Sequence, residues 1–181
     1  MIACLGWGSL LWNPDRLPLD GDWREDGPIL PIEFARVSGR GRITLVVTDR
    51  GAPVRTLWVP LAVATLDEAT AALAEREGVR TTRPIGRVPG GDDYPFAEIV
   101  SAWVRDMGFG GAVWTALKPG MDEKARGPVP TLAQLRIHIA TLGEAERADA
   151  LQYVERAPPQ VQTPYREPLR AMLSGDTRAD R

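Results

Sequence analysis

Hydrophobic positions along the chain follow a strand-like pattern first and a helix-like pattern later. Ile2 to Leu5 form a short apolar run, closed by Gly6-Trp7-Gly8-Ser9 before Leu10, Leu11 and Trp12 resume. This pattern predicts a buried strand followed by a sharp turn, because glycine tolerates positive φ and leaves no Cβ in the way of a close approach. Consecutive amides in such a turn can converge on an anion. Taken by itself the stretch is more simply a strand-to-loop turn in which Trp7 and Trp12 cap the core. The polar segment Pro14 to Pro28, with its "DGDW" and "EDGP" turn signals, reads as a surface loop. Strands are predicted at 29–37, after which "SGRGR" supplies a hairpin loop, and at 43–48, where the β-branched run "ITLVVT" suits burial on both faces. A further strand is predicted over 54–63, with Pro60 marking an edge or a bulge. Sequential strands with short connections favour an antiparallel meander. The expected architecture is therefore α+β: one small, mixed but mainly antiparallel barrel-like sheet of strands 2–7, 29–37, 42–48, 54–63 and 112–117, with flanking helices.

Helical spacing takes over after residue 65. Thr65-Leu66-Asp67-Glu68 has the form of a capping box, and Leu66, Ala69 and Leu73 mark one apolar face. Gly78 is placed to stop this helix as a left-handed C′ residue. The last turn then carries Glu75, Arg76 and Glu77. Carboxylates at the negative end of a helix dipole are disfavoured by about 0.3–1 kcal/mol each. A broken local rule of this kind points to function, unless Glu77 is solvated or paired with a neighbouring arginine such as Arg80 or Arg83. Residues 80–93, rich in Arg, Pro and Gly, read as a long loop, a common place for lids and binding segments. An amphipathic helix is expected over 95–107, the strand "AVWTAL" over 112–117, a polar loop over 119–130, and helices over 131–142 and 144–156. The proline-rich tail, 158–181, shows one possible helical turn at 169–173, and its end is expected to be disordered and to contribute little stability.

Composition narrows the classes. The 181 residues, 44% of them hydrophobic, suffice for a single domain over 1–181 with its own core. The single cysteine, Cys4, lies inside the first strand and reads as a small buried hydrophobe, which suits a reducing cytoplasm. One cysteine and one histidine, His138, do not make a metal site of the His/Cys type. His138 sits beside an apolar helical face and is more simply a packed side chain than an acid–base residue. No apolar run approaches the ~18 residues of a membrane span. A net charge of −2 with dispersed arginines leaves no electrostatic footprint for nucleic acid. A nucleophile elbow, phosphate loop and dinucleotide fingerprint are all missing from the sequence. Oligomeric state is not legible in it.

"WGSLLWNP" (Trp7 to Pro14) resembles the Tyr-Gly-Ser loop of the γ-glutamylcyclotransferase-like superfamily, in its ChaC-type form. "LAEREGV" (Leu73 to Val79) resembles the helix end that carries that superfamily's catalytic glutamate, with Glu77 at the matching position. Both motifs occur in order within residues 1–80. The resemblance implies a γ-glutamylcyclotransferase-like fold and a cofactor-independent enzyme that cyclises a γ-glutamyl amine to 5-oxoproline and free amine. It implies Glu77 as general acid and base, and Trp7, Gly8, Ser9 and Leu10 as the substrate-binding loop. Glu77 would suit both proton transfers if it is partly buried. Two departures stand out. Trp7 replaces the usual tyrosine, exchanging a phenol for a bulkier indole N–H donor. The family also usually continues directly from Glu-Gly-Val into a strand, where this chain shows the 80–93 loop. A rival class is a non-catalytic small-molecule or protein-binding module on the same fold, since six tryptophans and the proline-rich tail equally suit a contact surface.

Overall fold

The computed structural model describes residues 1–91, 93–122 and 126–175. The expectations for the remaining positions, including a disordered chain end, lie outside the described residues. In chain order the strands are β1 (Ile2–Gly6), β2 (Ile29–Val37), β3 (Ile43–Val47), β4 (Ala52–Arg55), β5 (Leu57–Leu61), β6 (Ile85–Val88) and β7 (Gly111–Thr115). The helices are α1 (Leu66–Arg76), α2 (Ala97–Asp106), α3 (Leu132–Thr141), α4 (Glu144–Arg156) and α5 (Arg166–Ser174). The class is α+β, with no helix among the described residues long and apolar enough to cross a membrane. The strands form two sheets, ordered β5-β1-β7-β6 and β3-β2-β4, rather than one, and no closed barrel exists among the described residues. The chain divides into two compact units, residues 1–30 with 55–117, and 31–54 with 118–181.

The first unit is built on β1. It pairs antiparallel with β5, from Ile2 opposite Leu61 to Gly6 opposite Leu57, and parallel with β7, from Ile2 opposite Gly111 to Cys4 opposite Val113. All five of its residues are buried, which is why its sequence is a continuous apolar run instead of an alternation. Ile2, Cys4, Val59, Leu61, Ile85 and Val113 gather with Ala69, Leu73 and Ala74 of α1 in one core. Side chains alternate along a strand, so Trp58 leaves β5 on the opposite face from Val59. There its ring meets Trp103 of α2 edge-on, with centroids 5.6 Å apart, and Phe109 at 4.8 Å. The loop 18–28 covers the outer edge of β5: the Asp20 amide donates to the Pro60 carbonyl, and Arg24 and Trp58 exchange backbone bonds of 2.8 and 2.9 Å. Pro60 lacks an N–H and is tolerated at this edge, as its sequence position implied.

Two expectations fail for reasons visible here. The 54–63 strand is interrupted at Thr56, which is fully buried. Its amide and its hydroxyl both donate to the Pro28 carbonyl, at 3.1 and 2.8 Å, so its hydrogen bonds leave the ladder and β4 and β5 enter different sheets. The 80–93 segment is not loop throughout: β6 pairs antiparallel with β7, from Ile85 opposite Thr115 to Val88 opposite Ala112. Gly86 stands directly opposite Trp114, and a Cβ there would lie 2.1 Å from the indole Cε2. The glycine that made this strand look like loop is the space its neighbour's ring occupies.

In the second unit β2 lies between β3 and β4, with a bulge between Phe34 and Arg36. The helix α4 packs on β3: the Leu45 amide donates to the Tyr153 hydroxyl (3.3 Å), and Tyr153 meets Phe34 edge to face. Arg166 ties down the chain before α5 by donating to the carbonyls of Ala157, Pro158 and Val161 at 2.6 to 2.9 Å. His138 Nε2 donates to the Gly41 carbonyl at 2.7 Å and so anchors the hairpin loop.

One buried carboxyl in this unit makes stability depend on pH. Glu33 is 2% exposed. Its Oε1 accepts from the Phe34 amide at 2.8 Å and the Thr163 hydroxyl at 2.5 Å. Burial pushes its carboxyl up, and these bonds, with one from the Tyr165 backbone, oppose the rise only in part. The folded state therefore holds a proton more tightly than the unfolded chain. Its contribution to stability is present in full below the unfolded carboxyl value of ~4.3 and is lost as pH rises through the higher folded value. Glu33→Gln keeps an acceptor oxygen and removes the charge. Melting curves between pH 4 and pH 8 are expected to show the variant gaining on the wild type as pH rises; a pH-independent difference would contradict this.

Candidate active site

The loop after β1 and the end of α1 are shaped by different local rules. Trp23 lies over Gly6, where an added Cβ would come within 2.8 Å of two of its ring carbons. Neither Gly6 nor Gly8 adopts positive φ, contrary to the expected turn geometry; Gly6 supplies clearance, and Gly8 sits at φ −143° and ψ −139°. A single 3-10 turn, Ser9–Leu11, follows. Its bonds begin with the Leu11 amide donating to the Gly8 carbonyl at 3.0 Å, and Asn13 donates to the Ser9 carbonyl at 2.9 Å. The amides of Ser9 and Leu10 thus precede the turn's first bond. Trp7 and Leu10 are each 4% exposed, and Leu10 is part of the α1 core.

At its start α1 carries the capping box read in the sequence: the Glu68 amide donates to Thr65 Oγ1 at 3.2 Å, and Glu68 accepts back from the Thr65 amide. At its end Gly78, with φ +65°, closes a Schellman motif. The Val79 amide donates to the Ala74 carbonyl (3.1 Å) and the Gly78 amide to that of Glu75 (3.0 Å). Val79 and Ala74 both enter the core, which fixes where the chain turns off. Glu77 is therefore the C-cap residue, held by its own amide to the Leu73 carbonyl at 3.0 Å.

Arg76 brings the two stretches together. Its Nη1 donates to Glu77 Oε1, its Nη2 to Ser9 Oγ (3.3 Å), and Nε and Nη2 both donate to the Asn13 carbonyl, at 3.2 and 2.7 Å. The side chains of Arg76 and Glu77 are only 8% and 14% exposed. Glu77 is thus paired with a neighbouring arginine, the structural alternative read in the sequence, although that arginine is Arg76 and not Arg80 or Arg83. Both of those are exposed, as is Glu75. Cys4, fully buried in β1, lies within electrostatic reach of the pair. Burial pushes its thiol up, Glu77 adds to the rise and Arg76 opposes it. A thiol held protonated in this way is a weak nucleophile.

Of the residues named from sequence, Ser9 and Glu77 are linked through Arg76. Trp7, Gly8 and Leu10 share the loop, and it is Arg76 rather than Glu77 that makes the contacts to it. Arg76 and Asn13 are the additions. Arg76 stands within "LAEREGV", where a basic residue in the last helical turn complements the dipole and the sequence gives no sign of a tertiary partner. Asn13 takes part through its backbone, which no side-chain pattern reveals. No group of three or more His, Cys, Asp or Glu side chains is gathered for a metal ion among the described residues. No family model matches the chain, and no curated protein matches it.

Proposed function

We propose that the protein is a γ-glutamylcyclotransferase-like enzyme that converts a γ-glutamyl amine into 5-oxoproline and the free amine, without a cofactor. The observation that carries this reading is the convergence of Ser9, on the glycine loop, and Glu77, at the end of α1, on one guanidinium. Ser9 and the Arg76 that binds it are 67 residues apart in sequence. Their meeting is what a reaction needing both a proton carrier and oxyanion donors requires. Residues 80–84 separate Val79 from β6 (Ile85–Val88), so the direct passage from Glu-Gly-Val into a strand that the family shows is not reproduced in this chain.

In this reading Glu77 accepts a proton from the substrate's α-ammonium group. The amine nitrogen attacks its own γ-carbonyl carbon and forms the five-membered ring. Amides of the Ser9–Leu10 turn stabilise the developing oxyanion. Glu77 then returns the proton to the departing nitrogen as the old amide bond breaks, and the second proton of the attacking nitrogen passes to solvent, leaving the neutral lactam of 5-oxoproline and the free amine. Nucleophile and electrophile belong to one molecule, so holding the substrate folded supplies much of the rate. The indole of Trp7 in place of a phenol supports a substrate other than glutathione. A reducing cytoplasm suits the free thiol of Cys4.

A second reading, a non-catalytic binding module, draws on the same ion pair, because a carboxylate already engaged by arginine serves recognition as readily as proton transfer. Product analysis separates the two. Incubation with γ-glutamyl amines and their N-acetylated counterparts should give 5-oxoproline from the free amines alone. Glutamate as the product would indicate hydrolysis, and binding without turnover would favour the second reading.

A further inference from the structure

Building on the cyclotransferase reading, we propose that Arg76 is the positioning residue of this site: its guanidinium locks the Glu77 carboxylate to the glycine loop, keeping the proton carrier and the oxyanion donors in register.

Consecutive residues on a helix diverge by about 100° and do not face each other. Arg76 and Glu77 nevertheless meet, because the helix ends there and Glu77 is its C-cap. The loop is gripped at both ends of its 3-10 turn, through the hydroxyl of Ser9, the turn's first residue, and the carbonyl of Asn13 just beyond it. The Asn13 amide in turn donates to the Ser9 carbonyl, so the two gripped residues are also bonded to each other. All three guanidinium nitrogens are engaged, on partners from two separate segments. Only arginine has a planar fork that can do this; a lysine ammonium donates from a single point. With its nitrogens so committed and its side chain 8% exposed, Arg76 acts through Glu77 and the loop rather than on the substrate.

The test compares Arg76→Ala and Arg76→Lys in the full chain. For whichever γ-glutamyl amine the wild type cyclises, kcat should fall by about 10²-fold, the scale of a misplaced catalytic group, while KM stays within a few-fold. Millimolar methylguanidinium should restore part of kcat in Arg76→Ala, and methylammonium should not. Wild-type kcat in Arg76→Lys, equal rescue by both cations, or a rise in KM alone would overturn the proposal. Thermal melts supply a readout independent of activity. The Tm loss of Arg76→Ala should be clearly less than additive with that of Ser9→Ala and with that of Glu77→Ala, whereas additive losses would overturn the clamp. If Arg76→Ala does not fold, Arg76→Lys takes its place in the melts. Absence of turnover by the wild type would defeat the cyclotransferase reading, and the melts alone would then decide the role of Arg76.

Discussion

Replacing Glu77 by Gln is expected to lower the release of 5-oxoproline from a γ-glutamyl amine by at least ~10²-fold, the lower end of what general acid–base catalysis contributes. Gln retains the shape of the side chain and an oxygen that can accept from Arg76, so the loop contacts should survive. The fold should survive as well, since the Schellman closure at Gly78 uses only backbone groups and the Val79–Ala74 contact. The loss should fall on kcat and kcat/KM together, the pattern of an interaction made in the transition state. Activity within a few-fold of wild type would remove Glu77 from the chemistry.

The largest effect on stability is expected at Gly86. An added Cβ would lie 2.1 to 2.5 Å from Cε2, Nε1 and Cζ2 of Trp114. That ring is 1% exposed and has Tyr94 against it, centroids 6.0 Å apart, so it cannot swing aside freely. Gly86→Ala should therefore cost about 3 kcal/mol or more, the upper end for overpacking a filled core. For a chain of this size that is a fall in Tm of roughly 6–12 °C. Pairing Gly86→Ala with Trp114→Leu should return part of the loss, because the clash disappears with the ring. An unchanged Tm in the single variant would contradict this account of β6.

What the sequence revealed follows from the range of each interaction. β1, the capping box at Thr65 and Glu68, and the Gly78 stop are written in residues within a few positions of one another, and all three are present. Sheet membership is not local. β1 takes β5 and β7 as partners across long stretches of chain, and Thr56 redirects the backbone although threonine itself favours strands. Hairpin reasoning merged these strands into one barrel-like sheet for that reason. β6 was hidden because Gly86 answers to Trp114, a residue 28 positions later, and not to its own neighbours.

The site was legible to a similar extent. Glu77 and the loop Trp7, Gly8, Ser9 and Leu10 could be named from motifs, and the misfit of a carboxylate at a helix end drew attention to Glu77. The bond between the two stretches could not be named, because it depends on Arg76 and Glu77 turning to the same side where the helix ends, and on a backbone carbonyl at Asn13. Side-chain periodicity carries no information on either.

The most direct test of the central claim is the product formed by the wild-type protein from a broad panel of γ-glutamyl amines, followed by mass spectrometry. The account predicts 5-oxoproline and free amine from at least one member, with no added metal or cofactor and with the activity removed in Glu77→Gln. No 5-oxoproline from any member, or equal release by the Gln variant, would contradict it.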